Sequence, residues 1–171
     1  MSEQQTTMPQ SGPPTILVVD DEPTITMLCK IILEQAGFLV LGAEGSSEAL
    51  RICTQHKGPI DLLLTDLILP PPSFQLVTDS NQFPHVHGYE LAARALHIRK
   101  DLRAIIMSGN INQDLAGCGI VQGKLPLLQK PFEPLALVAL VEQTLRAPLP
   151  SIESLTASPA KTAVVGDGWV D

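Results

Sequence analysis

Along positions 15–146 the apolar residues fall into short continuous runs that alternate with longer one-sided patterns. The runs are TILVV (15–19), FLVLGA (38–43), DLLLTD (61–66), RAIIMSGN (103–110) and LPLLQKPF (125–132). Short, β-branched or leucine-rich stretches bounded by Gly, Pro or acids predict buried strands. Between them the spacing predicts helices over 24–37, 46–56, 88–100 and 133–146. Ile25, Leu28, Ile32 and Ala36 form the inward stripe of the first, and Ala49, Leu50 and Cys53 that of the second. Leu91, Ala95 and Ile98 serve the third, and Leu135, Val138, Val141 and Leu145 the last. Pro23 opens the first helix and Gly37 stops it, Ser46 caps the second, and Pro134 suits the first turn of the last.

Strands that are apolar almost throughout, each followed by a helix, predict a parallel sheet covered on both faces. With short right-handed crossovers this gives one doubly wound α/β domain over 15–146. Two stretches break the rhythm. Seventeen residues lie between Pro70 and Gly88, where such links usually take about 2–6, so about 71–87 is an insertion. A further helix belongs between Asn110 and Leu125, but Gly117, Gly119 and Gly123 interrupt it, which predicts a shortened or irregular element. Residues 1–14 read as a disordered arm, and 147–171, with Trp169, as a flexible Pro/Ser-rich tail.

At 171 residues, 44% hydrophobic and 17% charged, the chain is long enough for one domain with a real core. A net charge of −7 argues against direct nucleic-acid binding, which needs cationic surface to displace counterions. No apolar run approaches the ~20 residues of a membrane span, and the polar N-terminus has no signal-peptide character. Cys29, Cys53 and Cys118 include no C-x-x-C pair and read as free thiols, so the expected location is cytoplasmic.

Chemistry enters at the strand ends. In a doubly wound sheet ligands bind beyond the carboxyl ends of the strands, where strand order reverses. Asp20 and Asp21 follow the first run, Asp66 ends the third, Ser108 the fourth, and Lys130 the fifth. Three acids crowded together repel one another unless a hard cation is shared among them, and carboxylates, a backbone carbonyl and waters are what Mg²⁺ takes. His85 and His87, two apart in the insertion, make only a weak transition-metal signal.

ILVVDDEP, LLLTDLILP, IIMSG and LLQKPF, in this order, resemble the receiver domain of bacterial two-component response regulators, over about 15–146. The resemblance implies a flavodoxin-like five-stranded sheet of order 2-1-3-4-5 and, lacking an output domain in this stretch, a stand-alone chemotaxis-regulator-like receiver. It implies that Asp66 accepts a phosphoryl group from a sensor histidine kinase or a histidine phosphotransfer protein. Asp21, Asp66 and the Ile68 backbone carbonyl would bind Mg²⁺, with Asp20 acting mainly through a water and by charge. Lys130 would pair with phosphoryl oxygens, Ser108 would be the switch hydroxyl, and Pro131 would carry a cis peptide. The signal would pass to a downstream protein through contacts between proteins, from a monomer that is not an enzyme in the ordinary sense.

The chain also departs from the family. Where an aromatic usually stands three residues before the lysine, it has Leu127, which leaves a non-switching pseudo-receiver as the alternative. A phosphohydrolase of the D-x-D type is disfavoured because Ile68 stands where the second acid would be. Ile68 and Asn110, two past the acceptor and two past the switch hydroxyl, cannot orient and activate a water well, which predicts a long-lived phosphoryl group. The insertion, with Phe74, Leu76, Val77 and Phe83, is a surface elaboration, or a lid or partner contact beside the pocket.

Overall fold

The strand runs pair through their backbones into a parallel sheet whose two faces are each packed by helices. The computed structural model describes residues 12–70, 86–110 and 125–151. Its elements are β1 (Thr15–Val19), α1 (Pro23–Gln35), β2 (Leu39–Ala43), α2 (Ser46–Gln55) and β3 (Leu62–Asp66). They continue with α3 (Gly88–Ile98), β4 (Arg103–Ser108), β5 (Leu127–Gln129) and α4 (Pro134–Arg146). The strand order is β2-β1-β3-β4-β5, all neighbours parallel, the flavodoxin-like order implied by the resemblance. The arm to residue 11, the insertion over 71–85, the irregular helix over 111–124 with Cys118, and the tail from 152 with Trp169 lie outside the described residues.

Successive strand residues point to opposite faces, so each strand feeds two cores. Leu17, Val19, Leu63, Ala104 and Ile106 pack with α2 and α3. Ile16, Val18, Leu62, Leu64, Ile105, Met107 and Leu128 pack with α1 and α4. Cys29 and Cys53 are free, buried thiols, and burial pushes both up to about 11. They act as small hydrophobes.

In three helices Ile25 and Ile32, Leu91 and Ala95, and Val138, Val141 and Leu145 pack inward as the spacing predicts, while the rest of each predicted stripe does not. In α1 the buried residues are Cys29, Ile32 and Leu33, while Leu28 is 42% exposed and Ala36 is exposed. In α3 Ala92 and Leu96 join Leu91 and Ala95, and Ile98 faces out. In α4 Leu137, Val141 and Thr144 are buried and Leu135 is 84% exposed. Each of these helices carries more apolar residues than one stripe can hold, and the sheet selects among the overlapping stripes. The α2 face, through Ala49, Leu50 and Cys53, is as read from the sequence.

Backbone clasps close the ends. Gly37 adopts φ +96° between α1 and β2, a conformation glycine reaches without steric cost. The Arg99 guanidinium binds the carbonyls of Cys53, in the last turn of α2, and of His56 and Gly58 just beyond it. Arg103, at the first position of β4, donates twice to the carbonyl of Ala147 (3.0 and 2.8 Å) and so fixes where the chain leaves α4. Among the described residues no helix is long and apolar enough to cross a membrane.

Candidate functional site

The period of two that sorts the core also builds the site. Ile16 and Val18 lead to Asp20, Leu62 and Leu64 to Asp66, and Leu128 to Lys130. All three polar residues thus continue the α1/α4 face past the last core layer of their strands. Because β1 and β3 are neighbours in the sheet, their terminal acids are brought together. The third strand end comes from β5, whose Lys130 N–H donates to the Ser108 carbonyl at 2.8 Å.

The Lys130 ammonium lies between the two acids. Its Nζ is 2.6 Å from Asp20 Oδ2 and 3.4 Å from Asp66 Oδ2. Asp20 is 1% exposed, and its other oxygen accepts the Glu22 N–H at 2.9 Å. A charge buried that deeply is tolerated because both oxygens are engaged. Burial works against the Lys130 charge, but the hydrogen bond to Asp20 and the fields of Asp66 and Asp20 overcome it and hold the ammonium above its usual range. Asp66 responds oppositely. Burial pushes its carboxyl up to about 6, with Asp20 and Asp21 adding to the rise and Lys130 opposing it.

Asp20, Asp21 and Asp66 each offer a carboxylate oxygen, and these oxygens all lie within 4.8 Å of one another. Oxygens around one octahedral Mg²⁺ are separated by about 3–4 Å, so a small closure of an all-oxygen donor set fits a hard divalent cation. Asp21 is exposed, leaving the cluster open to a hydrated ion from solvent.

The remaining sequence-predicted residues take these positions. Ser108 closes β4, is 1% exposed, and its Oγ accepts the Asn110 N–H at 3.1 Å. The Lys130–Pro131 peptide is cis. Leu127 pairs with Ile106 across β4 and β5 and packs, half-buried, on the α2/α3 core. Ile68 lies in the link that follows β3. His85 is outside the described residues.

Two residues of the site were not legible as such. Gly88 opens α3 directly against β3: its N–H donates to the Leu67 carbonyl at 2.9 Å, and a Cβ there would fall 2.1 Å from the Asp66 carbonyl oxygen. A glycine at the start of a helical pattern is the only sequence signal for it. His87, next to it, places Nδ1 3.1 Å from the Leu69 N–H, a main-chain partner that no side-chain spacing announces. Among the described residues, the carboxylate cluster is the only group of three or more metal-ligating side chains, and His87 is not in it.

Comparison with known proteins agrees with the fold. A family model described as "Response regulator receiver domain" matches residues 16–142. Response regulator GtcR of Aneurinibacillus migulanus is 30% identical over 132 residues, covering 77% of this chain and 48% of that protein. The phosphate regulon transcriptional regulatory protein PhoB of Pseudomonas aeruginosa is 32% identical over 134 residues, covering 77% of this chain and 52% of its own. The chain therefore spans about half the length of these curated relatives. Among solved structures, a response regulator receiver protein from Sinorhizobium medicae superposes with a TM-score of 0.62 at 26% identity, over 79% of this chain and 96% of that one. A receiver domain from Clostridium thermocellum gives 0.60 at 29% identity, over 77% and 94%.

Proposed function

The chain belongs to the response regulator receiver family, and from that premise we propose that Asp66 is the acceptor of a phosphoryl group delivered by a histidine kinase or histidine phosphotransfer protein. The observation that carries this reading is the joint placement of three carboxylates within 4.8 Å and one ammonium bridging Asp20 and Asp66. An Asp66 oxygen attacks phosphorus as the bond from phosphorus to the donor imidazole nitrogen breaks, and the leaving imidazole takes up a proton. Such transfer depends on in-line positioning and charge neutralisation more than on covalent help. With its carboxyl pushed up to about 6, Asp66 is still ionised above pH 7 and available as the nucleophile.

Asp20, Asp21, Asp66 and the Ile68 carbonyl would hold Mg²⁺, which when bound neutralises phosphoryl oxygens. Lys130, already 3.4 Å from Asp66 Oδ2, supplies a second positive charge. The phosphoryl group adds about −1.5 to −2 charges, enough to draw Lys130 away from Asp20 and to reorient the Ser108 hydroxyl at the end of β4. The output is a changed surface offered to another protein, and the chain turns over no external substrate beyond its own slow dephosphorylation. A cytoplasmic setting goes with that partner class.

Leu127 supports a second reading. Without an aromatic at this position of β5, phosphorylation and the change of surface are separable, and a pseudo-receiver that binds without switching would share the same fold.

Intact mass after incubation with Mg²⁺ and acetyl phosphate tests the proposal, with Asp66→Asn alongside. One added phosphoryl mass in the parent alone, lost when Mg²⁺ is chelated, is the expected result. No added mass from acetyl phosphate or from a phosphorylated kinase would remove the phosphoacceptor reading and leave the pseudo-receiver.

A further inference from the structure

From the end of β3 the carbonyls of Asp66, Leu67 and Ile68 follow one another, the last of which would complete the metal donor set, and the three are not equivalent. That of Asp66 accepts from Thr65 Oγ1 at 3.0 Å, and that of Leu67 accepts the Gly88 N–H at 2.9 Å. Ile68 contributes the third. Its C=O belongs to the same peptide unit as the N–H of Leu69, and that N–H donates to His87 Nδ1 at 3.1 Å. In a trans peptide the C=O and N–H lie in one plane and point in opposite directions. Holding the N–H therefore fixes the direction of the carbonyl.

We infer that His87 is the positioning residue of the Ile68 carbonyl, clamping the Ile68–Leu69 peptide so that its oxygen is presented away from the imidazole as a ligand for the divalent cation. The inference rests on the phosphoacceptor reading of the pocket.

Three further contacts make the clamp stiff. The His87 carbonyl accepts the Leu91 N–H at 2.8 Å as α3 begins, so the ring is carried by the first turn of a helix. Next to it, the Gly88 backbone lies against Asp66 and Leu67 with no room for a side chain. On the other side, the Val86 N–H donates to Ser46 Oγ of α2 at 2.8 Å, a buried contact. The backbone on both sides of the imidazole is thus held from α2, α3 and the end of β3 together. With Nδ1 as the acceptor, the neutral ring carries its proton on Nε2, the tautomer that this bond selects. A hydrogen bond to the N–H also polarises the peptide and makes its oxygen a better ligand, as the outer partners of metal ligands do.

The test uses the full chain. Mg²⁺ affinity is measured by calorimetry, or by Mn²⁺ electron paramagnetic resonance, for the parent, His87→Phe and His87→Asn, with Asp21→Asn as a variant lacking a direct ligand. His87→Phe keeps a ring of similar size and loses the acceptor; its dissociation constant is expected to rise about tenfold, the low end for outer-partner losses. His87→Asn, whose amide oxygen can accept from the Leu69 N–H, is expected to recover most of the affinity. An unchanged constant in His87→Phe, or equal losses in both variants, would overturn the clamp. If the parent itself binds no Mg²⁺ while Asp21→Asn behaves identically, the pocket reading fails instead. Should His87→Phe not fold, nitrogen–nitrogen scalar coupling between Leu69 N and His87 Nδ1 in the labelled parent decides the matter: its presence supports the bond and its absence removes it.

Discussion

Replacing Asp66 by asparagine should make the metal-free protein more stable at neutral pH. The Asp66 carboxyl is displaced from its ordinary 3.8 to about 6 by burial, with the neighbouring acids adding and Lys130 subtracting. Its side chain is 15% exposed, so solvent screening removes little of the effect. An acid whose pKa is higher folded than unfolded binds its proton more tightly in the native state. Its ionisation then costs stability, nothing below about pH 3.8, progressively more as pH rises, and the full amount above about 6. At about 1.4 kcal/mol for each tenfold change in proton affinity, the full cost is about 3 kcal/mol. The asparagine side chain is close in shape to the protonated acid and escapes this cost. Urea unfolding in EDTA should therefore show Asp66→Asn more stable than the parent by up to about 3 kcal/mol at pH 7.5, with the gain shrinking toward zero near pH 4. Saturating Mg²⁺ should erase or reverse the gain, because a cation that binds only the native parent stabilises it by mass action. A variant no more stable than the parent at pH 7.5, or a gain of equal size at both pH values, would refute the reasoning.

Lys130→Met should cost on the order of 3 kcal/mol at neutral pH, since it leaves Asp20 buried without its cation 2.6 Å away; a loss below about 1 kcal/mol in urea unfolding would contradict this. Gly88→Ala should lower stability by more than about 2 kcal/mol, because its Cβ would meet the Asp66 carbonyl oxygen at 2.1 Å and neither backbone can yield cheaply. Its thermal midpoint and its rate of phosphorylation should fall together, and a parent-like midpoint would show that α3 can shift away. The phosphorylated protein should decay over minutes to hours, because Ile68 has no group to orient an attacking water; decay within seconds, followed by intact mass after removal of donor, would contradict it.

The fold was legible because its strands are unambiguous. TILVV and DLLLTD are too short for helices, too apolar for surface, and each runs straight into an acid. Convergence of the site then followed from the rule that places ligands at strand ends, and the strand order from the family resemblance. The helix faces were less legible. Residues 25–33 include Ile25, Met27, Leu28, Cys29, Ile31, Ile32 and Leu33, so several stripes satisfy the same period, and only packing against Ile16, Val18 and Phe38 selects Cys29, Ile32 and Leu33. Lys130 was legible as a member of the pocket, but its tight pairing with Asp20 was not. That depends on β5 reaching its neighbours with the right face, a matter of register that three residues of strand do not announce. His87 was least legible of all. Its partner is a main-chain N–H eighteen residues back, across a link whose path no periodicity describes.

The anchoring of Ala147 by Arg103 has a practical corollary for anyone attaching a reporter. Arg103 begins β4 and Ser108 ends it, and six strand residues at about 3.3 Å each separate the two by roughly 17–20 Å. A fluorophore or fused protein joined beyond Ala147 therefore starts its tether at the end of the sheet remote from the phosphoacceptor. There it can report on a bound partner by energy transfer without standing in that partner's approach to Asp66.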